Sequence, residues 1–157
     1  MASWSEIESE APELTALARG FLDAYVHKTL ATLRRDGSPR ISGSEVIFAD
    51  GELWLGSMWQ SLKARDLQRD PRFALHSGSP DPEAGWRGDA KLAGRVEEIT
   101  DDDRKEKILG GKGGPGPSHV FRCDVTELSV VQLPDPPDFL VIESWHEGRG
   151  TTRLERR

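Results

Sequence analysis

Cysteine is nearly absent. Cys123 stands alone in 157 residues, so no disulfide can close within the chain and no thiol pair is available for a cysteine-based metal site. That usage fits a reducing compartment, and the expected location is cytoplasmic. No apolar run approaches the ~20 residues needed to cross a bilayer, and the acidic opening MASWSEIESEAPEL lacks the basic-then-apolar order of a secretory signal. Positive charge is short as well: 27 acidic residues outnumber 21 basic ones, for a formal charge of -6. Such a surface repels a polyanion unless basic groups gather on one face. Neither nucleic acid nor membrane is therefore expected as a partner. His27, His76, His119 and His146 fall in no HExxH or similar close spacing, and no metal site is expected.

What is present suits one ordinary core: 36% of the residues are apolar, and the length fits a single domain over 1–157. From Pro12, residues Leu14, Leu17, Ala18, Phe21, Leu22 and Tyr25 recur at helical spacing, which predicts an amphipathic helix over about 12–26. The period then shortens. KTLATL, RISGSEVIF and ELWLGS read as strands separated by two Asp-Gly turns, an antiparallel meander. Ser61 to Arg69 reads as a short helix stopped by Pro71. RFALHSG and DAKLAGRVEEI continue the strands, TDDDRKEKIL reads as a helix capped by Thr100, His119 to Leu133 reads as a strand pair, and FLVIESW closes the series. A polar tail over about 147–157 follows. The expected fold is mainly β with α+β periphery: an antiparallel barrel of about six or seven strands with a few short helices.

The chemical signals gather around one helix start. If Ser61 caps the helix, its hydroxyl and the free amides of the first turn face outward together, and the Lys63 ammonium reaches the same anion. The plainer account is a serine cap beside a solvated lysine, and Ser57 to Gln60 offers a competing capping-box start. GGKGGPGP is no P-loop, because Lys112 is followed by glycine where a serine or threonine must open a helix; it reads as a linker or lid. Asp101, Asp102 and Asp103 suit a helix N-terminus rather than a catalytic set. Trp145 and Trp59 each fit either a core position or a ring beside a planar ligand.

Taken together, TLATLRRDGSPRISGSEVIF, DGELWLGSMWQSLKARDLQRDPRFAL, GDAKLAGRVEEITD, HVFRCDVTEL and LVIESWHEGRG resemble the pyridoxamine 5'-phosphate oxidase-like family of FMN-binding split β-barrels, from about Lys28 to Arg149. The Ser61-Leu62-Lys63-Ala64 run followed by Asp70-Pro71-Arg72 is the most specific part. The resemblance implies a homodimer with FMN, or the deazaflavin F420, in a groove between subunits. By position, it implies that Lys63 and Ser61 hold the cofactor phosphate and that Gly56 and Ser57 line the ribityl chain or ring edge. Arg40, Ser42, Gly43 and Ser44 would lie against the isoalloxazine, with Thr32 as a weaker candidate and Trp145 near the ring.

Two departures bear on the substrate. Leu62 stands where true pyridoxamine phosphate oxidases carry an arginine beside the lysine, which removes a bidentate phosphate partner. Their C-terminal arginine- and histidine-containing substrate motif is not recognisable in SWHEGRGTTRLERR. The expected activity is oxidoreduction of a small molecule other than pyridoxamine phosphate, with no acid or base assigned. An F420-dependent reductase, or a non-catalytic flavin- or haem-binding protein, is the alternative on the same fold.

Overall fold

A single 15-residue strand organises the sheet, and the way its neighbours divide its edge explains the split architecture. The computed structural model describes residues 2–113 and 116–157. In chain order the elements are α1 (Trp4–Glu10), α2 (Pro12–Ala24), β1 (Lys28–Leu33), β2 (Pro39–Ser44), β3 (Val46–Ala49), β4 (Glu52–Met58), α3 (Leu62–Arg69), β5 (Arg72–His76), β6 (Gly88–Ile99), α4 (Asp102–Leu109), β7 (Ser118–Gln132), β8 (Leu140–His146) and β9 (Gly150–Arg156). The strands run β2-β1-β5-β6-β7-β4-β3, and β8 and β9 branch from β7. All named pairings are antiparallel. One edge of β7 pairs β6 along its length. The other carries β4 from Ser118 to Cys123 and β8 from Glu127 to Gln132. Between them Ala2 exchanges both backbone hydrogen bonds with Val125, at 3.1 and 2.8 Å, so the chain start fills the gap.

The sheet is an antiparallel split barrel with peripheral helices, as expected, but among the described residues it has nine strands and hydrogen bonding does not close it. Three differences separate these strands from the expected ones. RISGSEVIF is two strands, β2 and β3, because the chain breaks at Glu45 and β3 turns to pair β4. His119 to Leu133 is one long strand, and the polar tail forms β9, paired with β8 from end to end. An unexpected helix, α1, is closed by a capping box in which Ser3 and Glu6 satisfy each other's amides. In α4 the cap is Asp101, whose carboxylate accepts from Arg104 N–H at 2.7 Å, in place of Thr100. The Asp50-Gly51 turn holds both residues at positive φ, 53° and 72°, the arrangement a two-residue hairpin needs.

Strand alternation builds two cores. Leu53 and Leu55 of β4 join Trp4, Ile7, Leu22, Leu30, Phe121 and Leu128 on the face covered by α1 and α2. Trp54 faces the other way and meets Ile99, Val120 and Ile108 of α4. No described helix is long and apolar enough to cross a membrane.

The β6–β7 register slips between Ala93 and Gly94, where Thr126 is the extra residue. A Cβ on Gly94 would overlap the Asp124 carbonyl. Gly94→Ala is therefore expected to cost about 1–3 kcal/mol, read as a lowered thermal midpoint. A midpoint equal to the parent's would show that the bulge tolerates a side chain.

Candidate functional site

The turn from Met58 to Ser61 joins β4 to α3 and sets what the head of α3 presents. Ser61 N–H donates to Met58 O at 3.2 Å, and Gln60 adopts φ 59°. Ser61, with extended φ and ψ, is the cap: its Oγ accepts from Ala64 N–H at 3.3 Å. The amides of Leu62 and Lys63, at the first two helical positions, have no carbonyl one turn back within the helix. Ser57 Oγ lies 2.6 Å from Ser61 Oγ. Lys63 Nζ donates to Gly43 O at 2.7 Å, which uses one of the ammonium's three N–H bonds. Burial pushes the Lys63 amine below the usual lysine range, and the Glu45 carboxylate partly offsets it. Outward amides, a hydroxyl pair and an ammonium are the donor set that recognises a phosphate.

Behind this head, α3 lies along the β1–β2 hairpin through residues at helical spacing. Lys63 reaches Gly43 of β2, Asp66 reaches Arg40 and Thr32, and Arg69 reaches Leu33 O at 3.0 Å. Asp66 is 3% exposed. Its Oδ2 accepts from Thr32 Oγ1 at 2.9 Å and Arg40 Nε at 2.7 Å, and its Oδ1 from Arg69 Nη2 at 2.8 Å. Burial alone would push this carboxyl up, but the bonds from Arg40, Arg69 and Thr32 outweigh it and hold the group below the usual range. At the far end, Asp70 accepts from the backbone and guanidinium of Arg72, which brings its pKa down to about 2. The Asp-Pro-Arg run is thus a local clasp that ends the helix.

The structure pairs Ser57 with Ser61 and Lys63 with the Gly43 carbonyl at the start of α3, and Arg40 meets the helix one turn further along. Ser42 is half-buried on the same strand as Arg40 and Gly43. Ser44 is buried, and its hydroxyl donates to Glu45 O at 3.3 Å. Thr32 is not free to meet a ligand, because its hydroxyl is committed to Asp66 inside the fold. Gly56 faces the opposite side of β4 from Ser57: a Cβ there would lie 3.5 Å from Leu109 of α4. Trp145 is only 1% exposed, and its indole N–H donates to Glu10 at 2.8 Å. It belongs to the core and offers no ring face to a ligand. Trp59 is half-exposed and stacks flat on His119, with centroids 4.6 Å apart.

Asp66, Arg69, Glu98 and His119 contact these residues or one another without any sequence signal that marks them. Charged residues crowd α3, and nothing in LKARDLQR marks which of them is buried. The GGKGGPGP segment begins as the C-cap of α4, with Gly110 left-handed at φ 55°, and its residues 114 and 115 lie outside the described residues. Two cavities lie away from the serine–lysine cluster. One of about 400 Å³ sits between α4 and this loop, and one of about 370 Å³ lies between the first helices and the β8–β9 hairpin.

Residues 14–132 match the family model described as pyridoxamine 5'-phosphate oxidase. No curated protein matches the sequence. Among solved structures, the chain is similar to a pyridoxamine 5'-phosphate oxidase-related, FMN-binding protein from Nostoc punctiforme, at 15% identity, TM-score 0.61, covering 100% of this chain and 98% of that one. A putative pyridoxamine 5'-phosphate oxidase from Listeria innocua is 15% identical with a TM-score of 0.56, over 71% and 93% of the two chains. An F420 reductase is 22% identical with a TM-score of 0.54, over 71% and 94%. At these identities the structural likenesses speak for the fold.

Proposed function

The chain belongs to the pyridoxamine 5'-phosphate oxidase family, and on that premise we propose that it is an FMN-dependent oxidoreductase acting on a small molecule other than pyridoxamine phosphate. The observation that carries the reading is that the Ser57–Ser61 hydroxyl pair, Lys63 and the first-turn amides of Leu62 and Lys63 all belong to the start of α3. These groups fit a phosphate. Lys63 supplies charge, Ser61 and Ser57 supply hydroxyls, and the helix dipole adds to both. Arg40 donates to Asp66 through Nε alone, so its terminal nitrogens remain to meet the flavin ring beside Ser42 and Gly43. When bound, the isoalloxazine supplies the two-electron chemistry, and the protein orients it and shapes the pocket on its open face.

A second copy of the chain covers this site in the proposed assembly. Ile41, Met58, Trp59 and Leu62 flank Gly43, Ser57, Ser61 and Lys63 in the sequence and are 73%, 80%, 52% and 61% exposed, apolar surface suited to a twofold homodimer. The serine–lysine cluster is open in one chain and becomes a groove between two. Likeness to an F420 reductase favours F420 as the second reading, since that cofactor also carries a phosphate.

The test is a titration of the purified protein with FMN and with F420, followed by flavin fluorescence. FMN is expected to bind at the lower concentration. Preference for F420 would move the assignment to the second reading, and uptake of neither would end both.

The Lys63 shift gives a pH prediction. The ammonium is charged below its pKa, so its hold on phosphate is present at neutral pH and is lost as pH rises through that value. Because burial lowers it, the loss begins before the ordinary lysine value of about 10.4. The ratio of riboflavin to FMN dissociation constants should stay flat from neutral pH and then fall below that value. A ratio unchanged through pH 10.4 would remove Lys63 from the site.

A further inference from the structure

The turn that displays Ser61 is held from behind by a buried histidine. Gln60 is a non-glycine residue at φ 59°, a conformation that persists only where the surroundings fix it. Its N–H points at His119 Nε2, 3.1 Å away. A backbone amide can only donate, so Nε2 carries the lone pair and the ring proton sits on Nδ1. That proton goes to Glu98 Oε1 at 2.6 Å. Glu98 Oε2 in turn accepts from Gln68 Nε2, in the second half of α3, at 2.8 Å. One carboxylate on β6 therefore ties down both the turn before α3 and the helix itself. His119 is 2% exposed, lies opposite Ser57 in the β4–β7 register, and is roofed by the Trp59 ring at an interplanar angle of 7°.

We propose that His119, oriented by Glu98, is the positioning residue for the phosphate-binding turn: it fixes Gln60, and through it the approach of Ser61 and the first amides of α3. This rests on the reading of that turn as the phosphate site. A buried polar pair serving stability alone would have no reason to discriminate between ligands. A positioning pair affects the phosphate and not the flavin ring.

The experiment measures FMN and riboflavin dissociation constants for the wild type and for His119→Phe, which keeps the stack on Trp59 but removes both hydrogen bonds, and for His119→Gln, whose side-chain oxygen can replace the Nε2 acceptor. His119→Phe is expected to weaken FMN about tenfold and riboflavin less than about twofold, with His119→Gln recovering most of the loss. Equal weakening of both ligands, or an unchanged FMN-to-riboflavin ratio, would overturn the proposal. If His119→Phe does not fold, the ratio measured on Glu98→Ala decides: narrowing by about threefold or more supports the role and an unchanged ratio refutes it. A wild type that binds FMN no better than riboflavin removes the phosphate reading and this inference with it. Preference in the wild type that survives in both variants removes this inference alone.

Discussion

Replacing Asp66 by alanine is expected to lower the free energy of unfolding by about 3 kcal/mol, the low end of what breaking a buried ion pair costs. The carboxylate is 4% exposed and holds Arg40, Arg69 and Thr32 at once. Its removal leaves the Arg40 and Arg69 guanidinium groups without that acceptor between α3 and the β1–β2 hairpin, Arg69 keeping its bond to Leu33 O. Those groups are 21% and 33% exposed, so water relieves part of the loss. Asp66→Asn should cost less, because the amide oxygen still accepts. The pH dependence has a fixed sign: the folded pKa is lowered, so the stabilisation is full above the unfolded value of about 3.9 and fades as pH falls through the folded one. Urea denaturation at pH 7 reads the alanine variant directly. A change below about 1 kcal/mol would show the cluster to be no stronger than an exposed ion pair.

The second large effect is on binding. Lys63→Met keeps the apolar stem and removes the charge, and it is expected to weaken FMN by about ten- to a hundredfold, the range for one charge-assisted hydrogen bond. Riboflavin, lacking the phosphate, should bind the variant nearly as it binds the wild type. Gly43 O loses its donor at the same time, but it lies on the exposed side of β2, where water replaces the bond. Quenching of flavin fluorescence separates the outcomes, and equal weakening of the two ligands would mean that Lys63 acts through the fold rather than on the phosphate.

The legible parts of this protein were those written locally. Asp50-Gly51 announces its hairpin, Pro71 ends α3, and the Ser61 and Lys63 spacing marks the helix head, because each depends on a few neighbouring residues. The continuous run of β7 and its divided edge depend on which strands arrive beside it, and that information sits 60 or more residues away in β4. The capping box at Ser3 and Glu6 was readable, yet a seven-residue helix is stable only because Trp4 and Ile7 sink into the core. Asp66 and His119 were obscure for a related reason. A charged residue in a polar helix and one histidine among four look solvated until tertiary packing buries them and hands each a partner. Trp145 fits two roles by sequence, and its burial and its bond to Glu10, from another part of the chain, place it in the core.

The most direct measurement is a crystal structure of the protein with FMN. The phosphate should sit at the head of α3, within hydrogen-bond distance of Lys63 Nζ, Ser61 Oγ and the amides of Leu62 and Lys63. A phosphate bound elsewhere, with Lys63 directed only at Gly43 and those amides facing solvent, would contradict the account.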